Sequence, residues 1–440
     1  MDTITLKPAR LQGIHHAIPS KSYVHRMAIC AALSDKPTIL NLDFFAEDTI
    51  ATLDCLRALG ARVSVQDTQV KIYPIQGFST SSSHFAFPTK GNSTILDCKE
   101  SGSTFRFLLP VATALCNSVN FTGEGRLPER PIIDLITQLK FHGVNFSQNK
   151  LPFTTHGVLQ HGAYELPGNI SSQYISALLM AMPLLHGASK LSVYAPLESS
   201  AYVSVTMDVM RQFGVSVSVA NKNSALTFSV DPNAKYTSPG IVNVEGDWSN
   251  ASFFLLAAAL GNKIGVKGLN LRTRQPDLAI LEVFKKFGCA VNSDEDAEIL
   301  TVNASQAALR GQSVDISQMP DTLPALAVLA AGSVGESRFI NAARLRMKES
   351  DRLLSTASMI NSLGGKAKIF NDSLIVLGCD IAPLTGGCVN STNDHRIAMA
   401  GAIASTLCSK DVEIVNAGAV NKSYPGFFDE FTSLIPNNSN

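Results

Sequence analysis

A short phrase that closes an amphipathic helix recurs along the chain: L-R-A-L-G ending at Gly60, L-K-F-H-G at Gly143, M-R-Q-F-G at Gly214, F-K-K-F-G at Gly288 and I-N-S-L-G at Gly364. The spacings are 83, 71, 74 and 76 residues. After each Gly comes an alternating stretch such as V-S-V-S-V at 215–219, so each phrase predicts a helix, a left-handed glycine and a strand. Some forty residues before each phrase lies a second kind of helix, apolar and poor in charge. Six of these begin after polar positions, at Ser20, Ser101, Ser171, Asp247, Asp321 and Asn393. The repeating unit reads apolar helix, strand, loop, amphipathic helix, Gly, strand.

The sixth unit is incomplete. Its amphipathic helix, Y-P-G-F-F-D-E-F-T-S-L, stops near Leu434 and a polar tail follows. The alternating segment Thr3–Lys7 can supply the missing strand, so that the two ends of the chain meet. Six units divide into two sets of three. An α/β protein of two domains is expected, one spanning 19–238 and one built from 1–18 plus 241–440, with a hinge near 13–19 and 238–242. Tyr174–Leu185 is the closest approach to a membrane span, and at twelve residues it reads as a buried helix instead. The N-terminus has neither a signal-peptide core nor a transit composition, which points to the cytosol.

Composition narrows the picture. The 440 residues carry 36 Lys+Arg against 36 Asp+Glu, and only 16% are charged, compared with about 25% in an average protein. Zero net charge argues against a nucleic-acid binder held by a basic face, although a local basic site can hide inside a neutral total. The eight cysteines (30, 55, 98, 116, 289, 379, 388 and 408) contain no Cys-x-x-Cys pair and no Cys/His cluster at metal-ligand spacing. They are expected to be reduced and mostly buried, with no metal and no cofactor implied.

The chemistry concentrates at the helix starts. An apolar helix is buried along its sides, so its free N-terminal amides are its useful end, suited to phosphates and carboxylates. Lys21, Ser22 and Arg26 surround the first start, Gly102 and Arg106 the second, and Ser171, Ser172 and Gln173 the third. Arg126 and Arg130 lie in the loop before an amphipathic helix, and Ser199 and Tyr202 in the corresponding loop of the third unit. In the second half Asp321 opens an apolar helix. Arg344, Arg346, Lys348, Glu349 and Arg352 crowd one segment, His395 and Arg396 another, and Lys422 follows near the end. A charge run is usually a solvated helix face, and polar helix starts are usually ordinary caps. Here the charges fall at equivalent points of a six-fold repeat in a chain poor in charge, which favours one shared anion site at a domain interface.

These phrases are similar to those of the enolpyruvyl transferase family, in its shikimate 3-phosphate branch. They are P-S-K-S-x-x-x-R at 19–26, S-G-S-T-F-R at 101–106, R-L-P-E-R-P at 126–131, S-S-Q at 171–173, L-R-M-K-E-S-D-R at 345–352, N-D-H-R at 393–396 and K-S-Y-P at 422–425. The resemblance runs from end to end. It implies two domains of three βαβαββ units each, an inside-out α/β barrel with helices within and sheets without. It also implies transfer of the enolpyruvyl group of phosphoenolpyruvate (PEP) to the 5-hydroxyl of shikimate 3-phosphate, with phosphate released.

By the same resemblance Lys21, Ser22, Arg26, Ser171, Ser172, Gln173, Ser199, Tyr202, Asp321 and Lys348 would hold shikimate 3-phosphate. Lys21, Gly102, Arg130, Gln173, Glu349, Arg352, His395, Arg396 and Lys422 would hold PEP. Asp321 is the candidate base for the 5-hydroxyl, and Glu349 with Lys21 the candidates for proton transfer at the PEP methylene. Each domain is expected to present unpaired cations that anionic substrates bridge, closing the hinge on a monomer.

Three positions depart from the family pattern: Ile18-Pro19 before the first motif, Glu100 just before the second, and Arg344. The rival UDP-N-acetylglucosamine branch usually carries a reactive Cys where this chain has Gly125, and an Asn where it has Ser22. A non-catalytic phosphate-binding scaffold would not need Asp321, Glu349, Lys21 and Lys422. An RNA-end-processing enzyme would want a basic stripe that is lacking here.

Overall fold

The computed structural model describes residues 2–75, 94–222, 225–304, 308–378 and 384–436. Cys379 and the last four residues of the polar tail lie outside them. The helices among the described residues alternate between the two predicted kinds. In chain order they are α1 (Lys21–Ala32), α2 (Glu47–Ala58), α3 (Gly102–Leu115), α4 (Ile133–Phe141), α5 (Ser172–Ala181) and α6 (Ser200–Gln212), then α7 (Trp248–Ala259), α8 (Ile280–Phe287), α9 (Leu323–Ala331), α10 (Arg352–Ser362), α11 (His395–Ala404) and α12 (Phe427–Ser433). The odd-numbered helices are the apolar ones. Every residue of α7 and of α9 is buried, as expected of a helix that is hydrophobic all round. Gly60, Gly143, Gly214, Gly288 and Gly364 all have φ between +81° and +101°, the left-handed turn that only glycine adopts freely.

The chain divides into two compact units: a continuous one, Lys21–Val244, and a split one, Met1–Ser20 with Glu245–Asn440. The boundary falls at 245 where 241 was expected. Ile241–Asn243 pairs in parallel with Thr38–Asn41, and this holds it in the continuous unit.

Among the described residues the continuous unit has three four-stranded sheets of one topology. Thr94–Asp97, for example, runs parallel to Ser118–Thr122, which pairs antiparallel with Phe153–His156, which in turn pairs with Asn145–Phe146. The split unit has two four-stranded sheets and one of three strands. In the last, Thr3–Leu6 lies antiparallel to Val412–Val415, with Thr3 opposite Val415 and Leu6 opposite Val412. The N-terminal segment thus supplies a strand to the sheet of the sixth unit. In each unit helix packs on helix: α3 on α5, and α1 on α2 and α6, in one; α9 on α10 and α11, and α7 on α11, in the other. The sheets flank these helices, with buried and more exposed positions alternating along strands such as Ala163–Pro167. They do not join into a closed barrel.

Among the described residues no helix is long and apolar enough to cross a membrane, and no group of His, Cys, Asp or Glu could hold a metal ion. Cys30, Cys55, Cys98, Cys116, Cys289 and Cys408 are buried thiols, while Cys388 is exposed.

Candidate active site

In the continuous unit the helix starts carry linked polar groups. Lys21, the first residue of α1, sends its ammonium to Asp48 in the first turn of α2, at 2.8 Å. One turn on, the Arg26 guanidinium is buried. Its Nε donates to Thr206 Oγ1 at 2.7 Å, and its two terminal nitrogens to the carbonyls of Ser22 (2.8 Å) and Tyr202 (3.3 Å). The Phe107 ring lies 4.6 Å from its centre. Burial pulls its pKa down to about 10, so it remains a cation at neutral pH. Ser199 caps α6 from a left-handed conformation, and Tyr202 lies in the first turn of that helix rather than in a loop.

Ser101 caps α3 by accepting a hydrogen bond from the Thr104 amide, and Gly102 stands at the positive end of the helix dipole. A Cβ at Gly102 would lie 2.7 Å from Arg106 Nη1 and 2.8 Å from Arg130 Nη1. Two guanidinium groups therefore close around one glycine, a geometry suited to a small dianion. Arg106 also donates to Gln173 Oε1 at 2.8 Å, and Gln173 Nε2 to Ser103 Oγ at 2.9 Å. The start of α5, capped by Ser171, is thereby tied to the start of α3. Ser172 takes part as the buried first residue of α5.

In the split unit the centre is Arg352, whose side chain is 1% exposed. Its donors reach three carboxylates: Asp321 (2.6 Å), Glu349 (2.5 Å) and Asp394 through two nitrogens (2.9 and 3.2 Å). Asp321 also meets Lys348 at 3.2 Å and Arg396 at 3.4 Å. Burial by itself would raise the Asp321 carboxyl. Arg396, Lys348 and Arg352 together override burial and hold it well below the usual carboxylate range. Burial pulls the Lys348 ammonium down in spite of Asp321. Asp321 sits in a short 3-10 turn, Pro320–Thr322, so α9 opens two residues later than expected. Lys422 donates to the Asn393 carbonyl at 2.7 Å, which brings it beside the start of α11, where His395 and Arg396 are both buried. Arg344 turns to the Ser317 carbonyl at 2.8 Å.

The structure thus gathers Lys21, Ser22, Arg26, Gly102, Arg130, Ser171, Ser172, Gln173, Ser199 and Tyr202 in one unit. It gathers Asp321, Lys348, Glu349, Arg352, His395, Arg396 and Lys422 in the other. One expectation is corrected: the cations are not unpaired. Lys21 is paired with Asp48, and Arg352 with three carboxylates. A buried cation needs close acceptors; carboxylates serve Lys21 and Arg352, and a hydroxyl and two carbonyls serve Arg26.

Sequence reasoning passed over Asp48, and read Asp394 and Arg106 only as parts of motifs. The usable signal was position, since both acids stand at helix starts of the repeat. Glu100, the unexpected acid, packs onto the Gly125 backbone: a Cβ there would fall 1.4 Å from Glu100 Oε1.

The chain is 38% identical over 436 residues to 3-phosphoshikimate 1-carboxyvinyltransferase of Clostridium perfringens, covering 99% of this chain and 98% of that one. It is 39% identical over 444 residues to the Clostridium kluyveri protein of the same name, covering 99% and 97%. An EPSP synthase structure from Acinetobacter baumannii shares the fold with a TM-score of 0.77 at 23% identity, over 99% of this chain and 98% of that one. The enolpyruvyl transferase NikO from Streptomyces tendae shares it with a TM-score of 0.76 at 15% identity, over 98% and 97%. The EPSP synthase (3-phosphoshikimate 1-carboxyvinyltransferase) profile matches residues 6–431, a span that takes in every helix start described above from Lys21 to Lys422, and the chain belongs to that family.

Proposed function

We infer that this chain transfers the carboxyvinyl group of PEP to the 5-hydroxyl of shikimate 3-phosphate and releases phosphate. The observation that carries this reading is the family match over residues 6–431, joined to two clusters of cations at helix starts. The reaction protonates the PEP methylene, which makes the adjacent carbon electrophilic, and the 5-hydroxyl adds to that carbon. The tetrahedral adduct then loses a proton from its methyl group and expels phosphate. A proton donor and acceptor, anion holders and exclusion of water are what the protein has to supply.

In this reading Ser171, Ser172, Gln173, Ser22, Arg26, Ser199, Tyr202 and Lys348 hold shikimate 3-phosphate. Gly102, Arg130, Glu349, Arg352, His395, Arg396 and Lys422 hold PEP, and Lys21 and Gln173 serve both. Asp321 takes the 5-hydroxyl proton, and Glu349 and Lys21 handle protons at the PEP carbon. With three cations beside it Asp321 is a weak base. A PEP anion that draws Arg352 and Arg396 to itself would let the Asp321 pKa rise, making the base available as the second substrate arrives. Both clusters have to act on one substrate pair, so binding is expected to bring the two units together. A monomer in the cytoplasm suffices for this scheme; sedimentation with and without substrates tests the first point.

The deciding assay is phosphate release from PEP that strictly requires shikimate 3-phosphate. Release driven by UDP-N-acetylglucosamine instead, or no release, would overturn the reading.

A further inference from the structure

Behind the Lys21 and Gly102 positions runs a buried polar chain that joins three helices of the continuous unit. His25 of α1, Thr52 of α2, and Thr104 and Ser101 at the start of α3 are each no more than 1% exposed. His25 Nδ1 lies 2.7 Å from Thr52 Oγ1, and Thr52 Oγ1 lies 2.6 Å from Thr104 Oγ1. Thr104 Oγ1 lies 3.1 Å from the Asp48 carbonyl and 2.7 Å from Ser101 Oγ. The carboxylate of that same Asp48 holds Lys21.

Proton counting gives this chain a direction. The Asp48 carbonyl can only accept, and Ser101 Oγ accepts as well, so the one Thr104 hydroxyl proton is directed to these two oxygens and not to Thr52. Thr52 must then donate to Thr104, and His25 Nδ1 must donate to Thr52. That tautomer leaves His25 Nε2 as a bare lone pair, in keeping with its burial away from any hydrogen-bond partner among the described residues. A buried N–H without an acceptor would cost more. Burial, with Lys21 and Arg26 nearby, also pushes the His25 pKa well below its ordinary value, so the ring is neutral. The ring meets Phe107 of α3 edge-on at 6.4 Å.

We propose that His25 is a positioning residue: as the neutral Nδ1–H tautomer it braces α1, α2 and α3 through Thr52 and Thr104, and so fixes Lys21 and Gly102 relative to each other. It touches neither substrate. The proposal rests on the PEP roles assigned to Lys21 and Gly102. Its effect falls more on PEP because, Lys21 aside, groups assigned to shikimate 3-phosphate have supports outside the chain: Arg26 is held by Thr206 and two carbonyls, and Gln173 by Arg106 and Ser103.

The test compares His25→Leu, His25→Asn and Thr52→Val with the parent in steady-state phosphate release. Leu and Val remove links of the chain; the Asn amide nitrogen takes the place of Nδ1. His25→Leu and Thr52→Val should raise KM for PEP about ten-fold, the value of one well-placed hydrogen bond, with a smaller change for shikimate 3-phosphate. His25→Asn should recover most of the loss. Unchanged PEP KM values, equal rises in both KM values, or no recovery with Asn would overturn the brace. Should His25→Leu fail to fold, the near-isosteric Thr52→Val carries the comparison.

Nitrogen-15 NMR of histidine-labelled protein reads the tautomer without any turnover, with His25→Asn identifying the signal among the nine histidines. A neutral Nδ1–H ring supports the proposal, and an Nε2–H ring overturns it. Absence of phosphate release in the parent would sink the reaction assignment alone and leave this second measurement to decide the brace.

Discussion

Gly102→Ala probes the PEP position most directly. The new methyl would sit 2.7 Å from Arg106 Nη1, 2.8 Å from Arg130 Nη1 and 3.0 Å from Arg130 Cζ. Carbon makes ordinary contacts at about 3.5–4.0 Å, so each guanidinium must move by roughly 0.7–1.2 Å. Arg130 is half-buried and can retreat. Arg106 is buried and tied to Gln173 and the Pro131 carbonyl, so it yields only by breaking those bonds. The methyl also occupies space that the missing side chain leaves for a small anion. A displacement near 1 Å at a reacting group costs up to about 100-fold, so kcat/KM for PEP should fall about ten- to a hundred-fold. KM for shikimate 3-phosphate should change by less than about three-fold. Folding should not suffer, since Gly102 opens a helix at a φ that Ala accepts and Ala is the better helix former by about 1 kcal/mol. The assay is initial-rate phosphate release with each substrate varied in turn, beside a thermal melt. An unchanged KM for PEP in a stably folded variant would refute the close-approach argument.

Other consequences follow from the same geometry. Arg352→Leu leaves the buried Asp394 and the half-buried Asp321 and Glu349 without their shared cation; urea unfolding should show a loss of about 3–5 kcal/mol, and a loss under 1 kcal/mol would contradict the ion-cluster account. The Asp321 pKa is depressed in the fold, so the stability it contributes is fully present above the ordinary carboxylate value and is lost as pH falls through the lower folded one. Asp321→Asn should therefore flatten the acid side of a stability–pH curve while lowering stability at neutral pH. Gly125→Ala forces a methyl into Glu100 at a φ of +56° and should destabilise by about 1–3 kcal/mol; adding Glu100→Ala should recover part of that, and strict additivity would show that the two do not touch. X-ray scattering should register compaction when both substrates saturate the protein, and an unchanged radius of gyration would count against joint action of the two clusters.

Periodicity alone determined a good deal: the six-fold repeat, the two kinds of helix, the glycine turns and the N-terminal segment Thr3–Lys7 as the source of a strand for the last unit. These are local properties, written in hydrophobic spacing and in the conformational freedom of glycine, and they survive without knowledge of what packs on what. The positions of the cationic side chains were legible for the same reason, because helix starts are marked in the sequence. Their partners were not. Lys21 meets Asp48 from 27 residues away, Arg352 meets Asp394 from 42, and Thr52 meets Thr104 from 52. Nothing in the spacing of charges along a chain tells which acid a buried base will meet; that depends on how helices from successive repeats pack. Low charge content and zero net charge pointed to a neutral protein with a cationic site. Tertiary structure refined that picture: Lys21 and Arg352 are matched by carboxylates, while Arg26 is buried against hydroxyl and carbonyl oxygens, because a buried cation needs its charge answered by nearby acceptors.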